Sequence, residues 1–152
     1  MLRKLTQRLR QTRGFTLIEL LVVTLLLAIL AALAIPAYLD HQKKSQDSDA
    51  ESNARNLVSR VELCYATQED YRDCDTNAKL GGDTNLPYGT SEGEVSIVTA
   101  DKATYTVTAI SKAKSDGSNH TFTIEHTAAG TNDRSCTAGS TNDNGSCRNG
   151  TW

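Results

Sequence analysis

The sequence predicts an α+β fold in which one long N-terminal α-helix packs on a small antiparallel β-sheet. Three observations carry this. Residues 15–35 are apolar except for Thr16, Glu19 and Thr24. Behind them, Ala50, Ala54, Leu57, Val58, Val61 and Tyr65 recur at three- and four-residue intervals on a background of Asp, Ser, Asn and Arg, the pattern of an amphipathic helix. The C-terminal half then carries short runs in which apolar side chains occupy every second position.

Residues 1–14 form the first element. They hold five of the sixteen basic residues (Arg3, Lys4, Arg8, Arg10 and Arg13) and no acid, so their removal takes the net charge from −2 to −7. The remainder is an acidic, polar body, which argues against a nucleic-acid surface spread over the whole protein. The apolar run is long enough as a helix to span about 30 Å of hydrocarbon. Five basic residues precede it, against Lys43 and Lys44 close behind, so the positive-inside bias places the N-terminus in the cytoplasm and exports the rest. Three readings of this region compete. A secretory signal cut after Ala34 requires a shorter apolar run. A plain single-span anchor leaves Glu19 unexplained, since a carboxylate in a bilayer costs roughly 2 to 3 kcal/mol. The third reading starts from Glu19 and Gly14 together.

Pro36 ends the apolar run without ending the helix, and is expected to kink or loosen it by deleting one backbone hydrogen bond. With the amphipathic segment added, residues 16 to about 65 would make a rod of roughly 75 Å. The sheet that covers its apolar stripe is read from Val95 and Ile97, from Tyr105, Val107 and Ala109, and from Phe122 and Ile124. Three or four strands are expected, with the break "SDGSN" at 115–119 between the last two runs.

Cys64, Cys74, Cys136 and Cys147 all lie in the exported part, where disulfides persist. Four cysteines allow three connectivities, of which the two local pairs are favoured. Pairing Cys64 with Cys74 requires the helix to stop near Tyr65, because ten helical residues separate Cα atoms by about 15 Å. Cys136 and Cys147 bracket the polar loop "TAGSTNDNGS".

Gly14-Phe15-Thr16-Leu17-Ile18-Glu19, after a basic leader and before an uninterrupted apolar helix, resembles the class III signal of type IV pilins and pseudopilins. The resemblance implies a pilin-like fold and cleavage after Gly14 by a prepilin peptidase that also N-methylates Phe15. Three segments follow from it: a leader over 1–14, a transmembrane and assembly helix over 15–36, and a periplasmic or extracellular head over 37–152. Cleavage would expose an amine on Phe15, at i, to the carboxylate of Glu19, at i+4 on the same helical face. In the family that glutamate also meets a neighbouring subunit's amine, setting axial register. The resemblance further implies a proline-associated melted stretch at Pro36 and a C-terminal disulfide-bounded loop. The protein would reside in the inner membrane as a single-pass species before assembly, and outside the cell afterwards.

The implied activity is structural: a type IVa-like major pilin that self-assembles into a helical surface filament. The alternative is a minor pilin or type II secretion pseudopilin. A binding subunit for DNA or a surface ligand, using the Cys136–Cys147 loop with Arg134 and Arg148, is a third reading. Besides copies of itself, the implied partners are the peptidase/methyltransferase, membrane lipid, a platform protein and a separate cytoplasmic ATPase. No nucleotide-binding, C-x-x-C or H-E-x-x-H pattern occurs in the sequence, so no catalytic residue and no cofactor is expected. His41, His120 and His126 are read as surface or sheet residues. The cluster Asn142-Asp143-Asn144, with Asn132 and Asp133, is read as a solvated turn-rich loop rather than a calcium site, so no metal is expected. Sparse, unrepeated aromatics lend no support to a stacked-aromatic electron path.

Overall fold

The computed structural model describes residues 14–82 and 85–152. The basic leader residues Arg3, Lys4, Arg8, Arg10 and Arg13 lie outside the described residues. The chain divides into two compact units, Met1–Tyr38 and Leu39–Trp152. Helix α1, Leu17–Gln68, contributes to both.

In the first unit, α1 is apolar on all sides and exposed throughout, from Leu17 at 83% to Ile35 at 58%. It is long and apolar enough to cross a membrane, with a mean hydropathy of 2.9 over its most apolar 18 residues. Pro36 lies inside α1, with helical residues on either side.

In the second unit, α1 packs on a four-stranded antiparallel sheet ordered β1-β2-β3-β4, with β1 at Val95–Ala100, β2 at Tyr105–Ser115, β3 at Ser118–His126 and β4 at Asn132–Thr137. The order is a meander. It follows from short turns: Asp116 and Gly117, both at positive φ (53° and 79°), close the β2–β3 hairpin inside the predicted break. The helix stripe is buried at Ala50, Ala54, Leu57 and Val61, with Val58 and Tyr65 partly buried beside it. Facing it are Val95, Tyr105, Val107, Ala109, Phe122 and Ile124, each at most 2% exposed.

Three features depart from the sequence reading. The stripe continues one step further, to Asp47, a fully buried acid on what reads as the polar background. Strand β2 continues past Ala109 to Ser115, burying Ser111, Ala113 and Ser115 on the same alternation. The segment Asn132–Thr137 is strand β4 rather than part of an acidic loop; only Cys136 in it is buried, so it shows no apolar alternation by which to read it.

Disulfides close both local pairs, Cys64 with Cys74 at a Cα separation of 5.9 Å and Cys136 with Cys147 at 5.8 Å. The first is reached because α1 ends at Gln68 and the chain returns through a 3₁₀ turn, Tyr71–Cys74. Asp70 caps that turn by accepting from the Arg72 amide at 3.0 Å. The second bridge staples the C-terminal loop to β4. Replacing Cys136 and Cys147 together by alanine is expected to cost about 3 kcal/mol of stability, the entropy of closing an eleven-residue separation, read as a lower denaturation midpoint of the full chain in detergent.

Candidate assembly and processing site

Gly14, Phe15 and Thr16 are non-helical, and α1 begins at Leu17. Phe15 is 79% exposed. Thr16 occupies the N-cap position. Its carbonyl accepts the first helical hydrogen bond, from the Leu20 amide at 3.2 Å, and its Oγ1 accepts from the Glu19 amide at 3.2 Å. Glu19 stands in the first helical turn, where backbone N–H groups point toward the helix start and the helix dipole favours negative charge. Phe15 and Glu19 therefore do not share a helical face in this chain: Phe15 precedes the helix. What the structure brings together is a non-helical Gly14–Phe15 bond, a hydroxyl cap and an acid within one turn.

Sequence reasoning left Thr16 unused, although Thr16-Leu17-Ile18-Glu19 has the S/T-x-x-E spacing of a capping box. The signal was present and was overshadowed by the transmembrane run in which Thr16 sits.

The head holds a second arrangement that periodicity did not reveal. His120 is a sheet residue, as read, but fully buried, with Nδ1 at 2.9 and 3.0 Å from the two carboxylate oxygens of Asp47. Its Nε2 lies 2.7 Å from Ser115 Oγ. Asp47 Oδ2 also accepts from the Ser146 amide at 3.0 Å, a residue 99 positions away and inside the second disulfide loop. Helix, hairpin and C-terminal loop thus meet at one carboxylate. Gly145 makes the approach possible: a Cβ built there would stand 2.0 Å from Asp47 Oδ2, and its φ of +62° already disfavours a side chain. The loop named as a possible contact surface is in part an internal joint.

The same holds for its arginines. Arg148 pairs with Asp143 at 3.2 Å. Arg134 and Arg55 both lie over the Trp152 ring, at 5.0 and 4.9 Å from its centroid. Trp152 Nε1 donates to the Ser135 carbonyl at 3.0 Å. Asn142 Oδ1 accepts from the Ala138 amide and its carbonyl from Gly150, so amide groups read as solvated or cation-binding serve the turn itself. Among the described residues, no group of three or more His, Cys, Asp or Glu side chains is placed to hold a metal ion.

Aromatic residues that are scattered in sequence also meet. Tyr65 stacks on Tyr71 at 4.0 Å, and Tyr71 and His126 both contact Tyr105. Glu62 ties the cluster together by accepting from Tyr71 at 3.1 Å and from Tyr105 at 2.7 Å. Burial, and then the bonds to this carboxylate, push both phenols far above the usual tyrosine range. The cluster is local to one end of the head and reads as packing.

Residues 9–35 match the family described as the prokaryotic N-terminal methylation motif. Three relatives place that motif in context. The type IV major pilin protein PilA of Myxococcus xanthus is 38% identical over 63 residues, 41% of this chain and 29% of its own length. Prepilin peptidase-dependent protein D of Escherichia coli is 35% identical over 96 residues, 63% and 62% of the two chains. The type IV major fimbrial protein FimA of Dichelobacter nodosus is 39% identical over 62 residues, 41% and 40%. Together the matches support a type IV pilin. The chain spans about 30% to 60% of the length of these relatives. No solved structure gives a significant match. The long helix on a four-stranded sheet is the α+β, pilin-like arrangement expected. Two of these relatives carry pilin and fimbrial names, which fits a structural protein. The long apolar N-terminal helix, together with these matches, fits a protein anchored in a membrane.

Proposed function

We propose that this protein is the structural subunit of a type IV pilus, cut after Gly14, N-methylated on Phe15 and assembled into a helical filament through its apolar helix. One observation carries the reading: the methylation motif at residues 9–35 runs into the exposed apolar part of α1, residues 17–35, whose one acid, Glu19, sits in the first helical turn. Cleavage places a positive amine on Phe15, four residues before that carboxylate and just ahead of the helix start, and each offsets the charge the bilayer penalises in the other. The leader's basic residues hold orientation, with the N-terminus in the cytoplasm, until the peptidase has acted.

About fourteen large apolar residues between 15 and 35, at 0.3 to 0.6 kcal/mol each, hold this stem in lipid by roughly 4 to 8 kcal/mol. Packing against identical stems at a fibre axis recovers that burial. Extraction requires work from outside the subunit, which assigns the motor to a separate ATPase acting through a platform protein. Residues 15–36 are then the assembly segment, Pro36 the site of local bending, and 37–152 the exported head.

The test is the intact mass and N-terminal residue of the protein purified from its native cell. The expected product starts at Phe15, carries one added methyl group and has lost four hydrogens to two disulfides. A product starting at Met1, or after Ala34, overturns the reading. Abundance of that product in sheared surface fibres marks a major pilin, whereas a secretion defect without fibres marks the pseudopilin alternative.

A further inference from the structure

Two acceptors compete in principle for the Glu19 amide. One is Thr16 Oγ1, which it uses at 3.2 Å. The other is the Phe15 carbonyl, four residues back, which is the ordinary helical partner. Choosing the hydroxyl stops the helix at Leu17 and leaves residues 14–16 non-helical. Choosing the carbonyl would draw Thr16 into the helix. The next step would pair the Ile18 amide with the Gly14 carbonyl, the very group a peptidase must attack. At the edge of hydrocarbon an unpaired N–H is costly, so a lost cap is answered by helix growth rather than by fraying.

We propose that Thr16 is a positioning residue for leader cleavage: its hydroxyl, by capping Glu19, ends the helix short of the Gly14–Phe15 bond and keeps that bond in a form that can be cut. The inference rests on the processing proposed above. Cleavage adds water across the bond, the hydroxyl going to the Gly14 carbonyl carbon and the proton to the Phe15 nitrogen. Attack requires that carbonyl to be free of a helical partner and open on one face, as it is in the exposed, non-helical segments that proteases favour. Glu19 thus serves twice, by its backbone before the cut and by its carboxylate after it.

The experiment uses the full-length precursor in detergent with a purified prepilin peptidase, and reads initial cleavage rates by intact mass. Thr16→Val keeps the shape and removes the acceptor; it is expected to be cut roughly five-fold more slowly, the equilibrium value of one N-cap. Thr16→Ser and Thr16→Asn supply other strong caps and are expected within about two-fold of wild type. A peptidase that instead recognised the threonine side chain by shape would give the opposite order, with Thr16→Val fast and Thr16→Asn slow. That order, or equal rates for wild type and Thr16→Val, overturns the cap while leaving the processing reading standing. A wild-type chain that is never cut after Gly14 overturns both.

Discussion

Glu19→Gln is expected to abolish surface filaments while leaving the head folded and both disulfides closed. Glutamine matches glutamate in shape, so the substitution removes charge and little else. In the proposed filament the Phe15 amine would then lie in an apolar stem without its counter-ion. Stripping one partner from a desolvated pair costs about 3 kcal/mol or more, and tenfold in an equilibrium corresponds to roughly 1.4 kcal/mol. Each added subunit is therefore disfavoured by about a hundred-fold. Because that penalty recurs with every addition, the expected yield of sheared fibres, measured by immunoblot and electron microscopy, falls below detection. Glu19→Asp, which keeps the charge on a shorter arm, is expected to retain part of the yield. Wild-type fibre yield in Glu19→Gln would remove the electrostatic basis of assembly. Leader cleavage offers an independent control, since the backbone amide that Thr16 caps is unchanged by the substitution.

The second large effect is expected in the head. Asp47→Ala leaves the buried His120 Nδ1 and the Ser146 amide without the acceptor they share. Breaking such a buried pair from one side costs about 3 to 5 kcal/mol, a melting midpoint lower by roughly 10 to 25 °C for a unit of this size. Thermal denaturation of the full chain in detergent measures it. Replacing both partners by apolar residues, Asp47→Leu with His120→Leu, is expected to recover part of the loss, because the imidazole is no longer stranded while the Ser146 amide still lacks its acceptor. A single substitution that shifts the midpoint by less than about 5 °C would show that the carboxylate is not the joint of helix, hairpin and loop.

The two effects separate the two parts of the chain by mechanism. In the apolar stem the side chains are exposed. In the head, a small core is supplemented by two disulfides and by polar groups that are buried only because they are paired. The stem is built to be completed by copies of itself under the proposed function, and the head is built to be complete alone.

Local physics made much of this legible before any coordinates. An apolar run of bilayer length, an acid four residues into it, a three-and-four repeat behind it and alternating runs near the C-terminus are all sequence-neighbour patterns. Helix and strand periods convert such patterns directly into a long helix on an antiparallel sheet. The four cysteines allow three connectivities, and the local pairs favoured from the sequence are the ones that form. The Cys64–Cys74 pair depends on α1 ending at Gln68, where Glu69 turns out of the helix at a φ of 58°, and on Asp70, which caps the turn that brings Cys74 back. Beyond that reach, sequence reading failed for one reason. Asp47, His120 and Ser146 lie tens of residues apart and are polar, so no periodicity marks them as core; Tyr105 is marked by its strand, but not the Glu62 carboxylate 43 residues away that it meets. Burying an acid is favourable only when specific donors arrive with it, and which donors arrive is set by the packing of the sheet on the helix and the closing of the C-terminal loop.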